Sequence, residues 1–172
     1  GEPVDLKGAQ ALAASDPFQF QCWALGLVGA RPVEVKKGAD KGIDGYIYFH
    51  DEPRGESLGP TKKIIVQVKS GKVGVKDVRE LLGVIDREKA VIGVLLTMAK
   101  PTKPMLAEAA AAGFYQAPLT GQKYPRLQII TIDEALRGKG SAYPPPALSA
   151  NTTFKKASRR YKKIHQLRMD LE

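Results

Sequence analysis

Three polar residues sit where packing alone explains them poorly. Asp44 lies in Gly42-Ile43-Asp44-Gly45, at the start of an apolar stretch and between glycines that permit close backbone or ligand approach. Gln67 and Lys69 lie in Ile64-Ile65-Val66-Gln67-Val68-Lys69. In an extended strand residues two apart emerge on the same face, about 7 Å apart along the chain. Together the three offer a charged oxygen, a neutral carbonyl oxygen and an ammonium. A lysine in such a strand is rarely fully buried unless paired. Asp44 on a neighbouring strand is the partner the pattern predicts. The plainest reading is an ion pair at a sheet edge; the alternative is a site for a hard cation and a polyanion.

The elements that must position these residues follow from periodicity. Asp5 to Ala14 is Ala-rich and reads as a short helix. Asp16-Pro17 caps a second helix, through Phe18–Val28 and stopping at Gly29, too apolar to lie on the surface. Val33–Lys37 and Ile43–His50 read as strands flanking the turn Gly38-Ala39-Asp40-Lys41-Gly42. Residues 51–60 are a Pro/Gly loop. Lys62–Ser70 is the clearest strand, with Ile64, Val66 and Val68 on one face and Ile65, Gln67 and Lys69 on the other. A helix over Val75–Arg87, a doubly buried strand over Ala90–Thr97, an Ala-rich helix over Thr102–Ala112, a strand over Leu127–Ile130 and a short capped helix complete the order. The layout is α/β with a mixed central sheet flanked by helices, and parallel crossovers in its second half.

The wording of these segments resembles the PD-(D/E)XK nuclease superfamily. More narrowly, Gly42-Ile43-Asp44-Gly45 and Val66-Gln67-Val68-Lys69 resemble the Mrr-like restriction endonuclease domain, of the kind appended to bacterial DNA methyltransferases. The likeness covers about residues 10–138 and includes the order of the downstream elements. It implies a restriction-endonuclease-like fold and metal-dependent hydrolysis of DNA in a restriction or restriction–modification setting. Asp44, Gln67 and Lys69 would be the catalytic set, with Asp44 and Gln67 as ligands of Mg²⁺ or Mn²⁺. In the Mrr-like group glutamine commonly stands for the second acid. A hard cation prefers oxygen ligands. It polarises phosphate and activates water, and Lys69 would orient that water and stabilise developing charge. A neutral Gln67 weakens cation affinity, and some superfamily members only bind DNA. A catalytically silent nuclease-fold binding module is therefore the alternative. Gln21 on the buried helix (or Gln19) and Asp40 in the turn are auxiliary candidates.

Composition bounds the rest. The chain has 172 residues, 27 Lys+Arg against 18 Asp+Glu and a net charge of +9. This length fits one domain, expected over residues 1–140, followed by a Pro-containing linker and basic tail over 141–172. Lys155, Lys156, Arg159, Arg160, Lys162 and Lys163 lie in that tail among Phe154 and Tyr161, a segment attracted to polyphosphate. One cysteine, Cys22, excludes an internal disulfide and fits a reducing, cytoplasmic setting. No apolar run reaches the roughly 18 residues of a membrane span. Two isolated histidines do not make a zinc site, and no Walker or dinucleotide fingerprint occurs. The start at Gly1 suggests a piece of a longer protein; no methyltransferase motif lies within these residues. Cutting both strands of a duplex favours a homodimer.

Overall fold

A computed structural model describes residues 1–33 and 42–138. Asp40, the 33–37 strand beyond Val33, and the basic tail lie outside the described residues. Helix α1 (Leu6–Ser15) is capped by the Asp5 carboxylate, which accepts from Gly8 N–H at 2.7 Å. Helix α2 (Pro17–Leu27) starts where Asp16 accepts from Gln19 N–H at 3.0 Å, with proline pre-set at the first helical position. It ends before Gly29, whose φ of 72° is costly for a residue bearing Cβ.

The strands are β1 (Arg31–Pro32), β2 (Gly45–Phe49), β3 (Lys62–Lys69), β4 (Ile92–Thr97), β5 (Phe114–Gln116), β6 (Lys123–Pro125) and β7 (Leu127–Thr131). Between them lie α3 (Val75–Glu88) and α4 (Lys103–Ala111), and α5 (Ile132–Leu136) follows β7. The central sheet has the order β1-β2-β3-β4-β7. It is antiparallel from β1 to β3 and parallel from β3 to β7. This is the expected mixed sheet. Ile43–His50 contracts to a five-residue strand, and the β5–β6 hairpin was not expected.

Strand alternation divides the core into two layers. Ile64, Val66, Val94, Leu96 and Ile130 pack with α1, α2 and α5. Ile65, Leu95 and Leu127 pack with α3 and α4 through Val78, Leu81, Ile85, Met105 and Ala109. Helix α3 turns its apolar stripe inward and its charges outward, as its 3.6-residue spacing dictates. Gly93 on β4 is where α3 approaches closest. A Cβ there would clash with the Ile85 side chain, 2.7 Å from its Cγ1, and crowd Leu81 Cγ at 3.2 Å. Overpacking a filled core costs about 1–3 kcal/mol. Gly93→Ala is accordingly expected to lower the unfolding free energy by that amount, read as a lower urea midpoint; an unchanged midpoint would mean that α3 moves aside freely.

Candidate functional site: one end of the central strands

Gly45 pairs with Val66 across the β2–β3 ladder, so Asp44 precedes β2 beside Gln67 of β3. The backbone there is tight. Asp44 N–H donates to Val66 O at 3.0 Å, and Val33 N–H donates to Asp44 O at 3.0 Å. The side chain is fixed as well, because Asp44 Oδ2 accepts from Val68 N–H at 2.8 Å. Burial pushes the Asp44 carboxyl above its usual range, while the Val68 hydrogen bond and the nearby Lys69 charge pull the other way.

Gln67 is 4% exposed. Its Oε1 has no hydrogen-bond partner among the described residues. An unsatisfied buried carbonyl costs roughly 1–3 kcal/mol, so this oxygen is an acceptor waiting for a donor or a cation. Gly42 makes room for the amide. It holds a φ of 101°, and a Cβ there would stand 2.9 Å from Gln67 Nε2. The glycine before Asp44 thus serves the neighbouring strand as much as its own turn.

Lys69, at the end of β3 on the face that carries Gln67, is partly exposed. The ion pair expected between Asp44 and Lys69 does not form. Lys69 Nζ lies 3.8 Å from Asp77 Oδ1 instead. Asp77 stands in the first turn of α3, where its Oδ2 accepts from Gly74 N–H at 2.8 Å. That geometry leaves the carboxylate anchored on a helix start, where negative charge is favoured, with its second oxygen turned to Lys69. Asp77 escaped the sequence reading. Its signal was an acid three residues after a helix-opening glycine, a pattern ordinarily read as capping alone.

Asp44, Gln67 and Lys69 therefore meet at the C-terminal end of β3. There ligands commonly bind in open α/β sheets. Gln21 stands on α2, whose buried Phe20, Ala24 and Leu25 belong to the opposite layer, and no hydrogen bond links it to the three. Among the described residues no group of three or more His, Cys, Asp or Glu could hold a metal. A pocket of about 620 Å³ on the α1–α2 side is lined by Leu12, Asp16, Gln19, Cys22, Trp23 and the first residues; it contains none of the three.

The far end of β3 carries a second polar cluster. Asp51 is 2% exposed, and its Oδ1 lies 2.7 Å from Lys62 Nζ. This contact is ionic in distance but lacks an aligned hydrogen bond at Oδ1. Tyr115 of β5 donates its hydroxyl to Asp51 Oδ2 and accepts from Lys62 Nζ at 3.0 Å. The cluster pins the β5–β6 hairpin to the sheet, seven strand positions from Lys69.

Residues 19–137, more than half the chain, match the sequence model of the family described as NACHT-associated inactive Restriction Endonuclease 1. The chain belongs to that family. The NACHT-associated inactive Restriction Endonuclease 1 domain is also similar in structure to the MspJI restriction endonuclease, solved in complex with a 27-mer oligonucleotide. That match has a TM-score of 0.55 and 16% identity over 80% of this chain and 31% of the other. A second is the DNA modification-dependent restriction endonuclease AspBHI, at a TM-score of 0.52 and 22% identity over 81% of this chain and 35% of the other. The domain spans about a third of each of these proteins. At such identities the likeness establishes the restriction-endonuclease-like fold. No match to a curated protein was found. Among the described residues no helix is long and apolar enough to cross a membrane.

Proposed function

We propose that the domain binds DNA at the Asp44–Gln67–Lys69 end of the sheet and hydrolyses phosphodiester bonds there with a divalent cation, Mg²⁺ or Mn²⁺. The observation that carries this reading is the buried Gln67 Oε1, with no hydrogen-bond partner among the described residues, next to Asp44 across the β2–β3 pairing. The two oxygens fit a hard cation: one is charged and belongs to a carboxylate oriented by the Val68 N–H, the other is neutral and buried beside Gly42. When bound, such a cation supplies Lewis acidity for phosphate and water. Lys69 holds its ammonium beside the scissile phosphate, steadying charge that grows in the transition state. Asp77 positions Lys69. The Asp44 oxygen that accepts from Val68 N–H fixes the carboxylate's orientation.

The Mrr-like pattern of Gly42–Gly45 and Val66–Lys69 supports a restriction or restriction–modification setting, with a methyltransferase domain in the same longer protein and a homodimer for double-strand cutting. The basic tail at 155–163 would add phosphate contacts that carry no sequence information. A second reading is a DNA-binding module without cleavage. It is favoured by the family's description as inactive and by the neutral Gln67, which leaves one carboxylate at the cation position.

Supercoiled plasmid incubated with the protein in Mg²⁺, Mn²⁺ or EDTA separates the two. Nicking or linearisation in metal but not in EDTA is the expected result. Gln67→Glu supplies the missing acid and should shift the half-maximal Mg²⁺ concentration downward. Salt-sensitive binding without cleavage in either metal would move the assignment to the binding module.

A further inference from the structure

The face of β2 that carries the site extends beyond it. Residues 44, 46 and 48 share one side of the strand, as do 63, 65, 67 and 69 of β3. Tyr46 and Tyr48 stack on that face with centroids 5.5 Å apart at 28°. Tyr46 leans on the α3-side core, whereas Tyr48 is 41% exposed. Two cations flank the pair. Arg31 of β1 lies opposite Tyr46 in the ladder and therefore on the same face. Lys63, opposite Tyr48, holds its Nζ 5.6 Å from the Tyr46 ring centroid while also contacting Glu88 at 3.5 Å. Neither β1 nor β2 contains an acid.

Tyrosine is common in strands, so exposure alone argues little. A stacked, half-open aromatic pair bracketed by Arg and Lys, on the same face as a phosphate-seeking lysine, is a more particular arrangement. Aromatic faces with adjacent cations are how proteins hold unpaired strands: bases stack on the rings while the cations track the backbone. Tyr48 lies four strand positions from Asp44, about 13 Å, on the continuation of one surface. We propose that Tyr46 and Tyr48 form a stacking platform for the bases of a single DNA strand, holding that strand alongside the Asp44–Gln67–Lys69 site. The proposal rests on the reading that this face binds DNA. It adds that the bound form there is unpaired, because only unstacked bases expose their faces.

The test is equilibrium binding of labelled oligothymidine and of a duplex of equal length in EDTA, which excludes cleavage, for wild type, Tyr48→Ala and Tyr48→Phe. Thermal melting verifies that each folds. The expected result is a loss of roughly tenfold or more in affinity for the single strand with Tyr48→Ala, since stacking on one ring carries that order of effect. Tyr48→Phe should bind as wild type, and the duplex should respond little. A 2-aminopurine placed in the strand should be quenched by wild type and less by Tyr48→Ala. Unchanged single-strand affinity and quenching in Tyr48→Ala would overturn the platform while leaving the DNA reading intact. Failure of wild type to bind either nucleic acid would overturn both.

Discussion

Asp51→Ala is expected to destabilise the domain by about 3–5 kcal/mol, the usual cost of removing one partner of a buried ion pair. The carboxylate is fully enclosed and is the common partner of Lys62 and Tyr115. Without it Lys62 keeps Glu52, at 3.3 Å, and the Tyr115 hydroxyl, which itself loses its acceptor. Tyr124 of the same hairpin is also buried, with a hydroxyl that has no partner among the described residues. Urea unfolding measures the loss; a change below about 1 kcal/mol would show that the hairpin is held by apolar contacts alone.

The same cluster fixes how stability responds to alkali. Burial, followed by the hydrogen bond to Asp51, pushes the Tyr115 phenol up to about 12 from its ordinary 10.0. Burial pulls the Lys62 ammonium down, but its polar contacts with Asp51, Tyr115 and Glu52 outweigh it and hold the group above the ordinary lysine range. Both folded-state values are raised. Their contribution is therefore complete below about pH 10 and drains away as pH climbs toward about 12. Melting temperature should fall across that window, and less steeply in Tyr115→Phe.

Asp44→Asn and Lys69→Ala should each reduce plasmid cleavage by roughly 10²-fold or more, the scale of losing one preorganised charge at a reacting phosphate. Asparagine is the informative substitution at 44. Its carbonyl can still accept from Val68 N–H, so the turn survives while the negative charge is gone. Lys69 is partly exposed, and its ion pair with Asp77 is long, so its removal should leave melting nearly unchanged. Loss of cleavage without loss of fold places the hydrolytic centre at these residues. Cleavage that persists in both variants would place it elsewhere. A large drop in melting temperature for Lys69→Ala would instead mark the lysine as part of the scaffold.

How much of this could be read from the sequence depended on whether a feature is local. The alternation of β3 fixed which of Ile64 to Lys69 face which layer, and the structure keeps that assignment. Capping acids and glycines located both ends of α2 within a residue. The β5–β6 hairpin escaped because each strand has three residues, joined through Pro118 and Gly121 and ended by Pro125, too short for a period to emerge. What orders it is Asp51, sixty-four residues before Tyr115. The partner of Lys69 escaped for a related reason. Asp44 and Asp77 were both within reach of a strand-borne lysine, and only the placement of α3 decides between them.

The two-sidedness of β3 bears on how such a domain drifts over generations. Its scaffold duties rest on Ile64, Val66 and Val68, and the proposed chemistry on Gln67 and Lys69, interleaved one by one along the same eight residues. A substitution such as Lys69→Ala or Asp44→Asn would silence the proposed reaction and leave the packed layers in place. If the proposed site is catalytic, such a domain could lose the reaction at one partly exposed position, Lys69, and still fold.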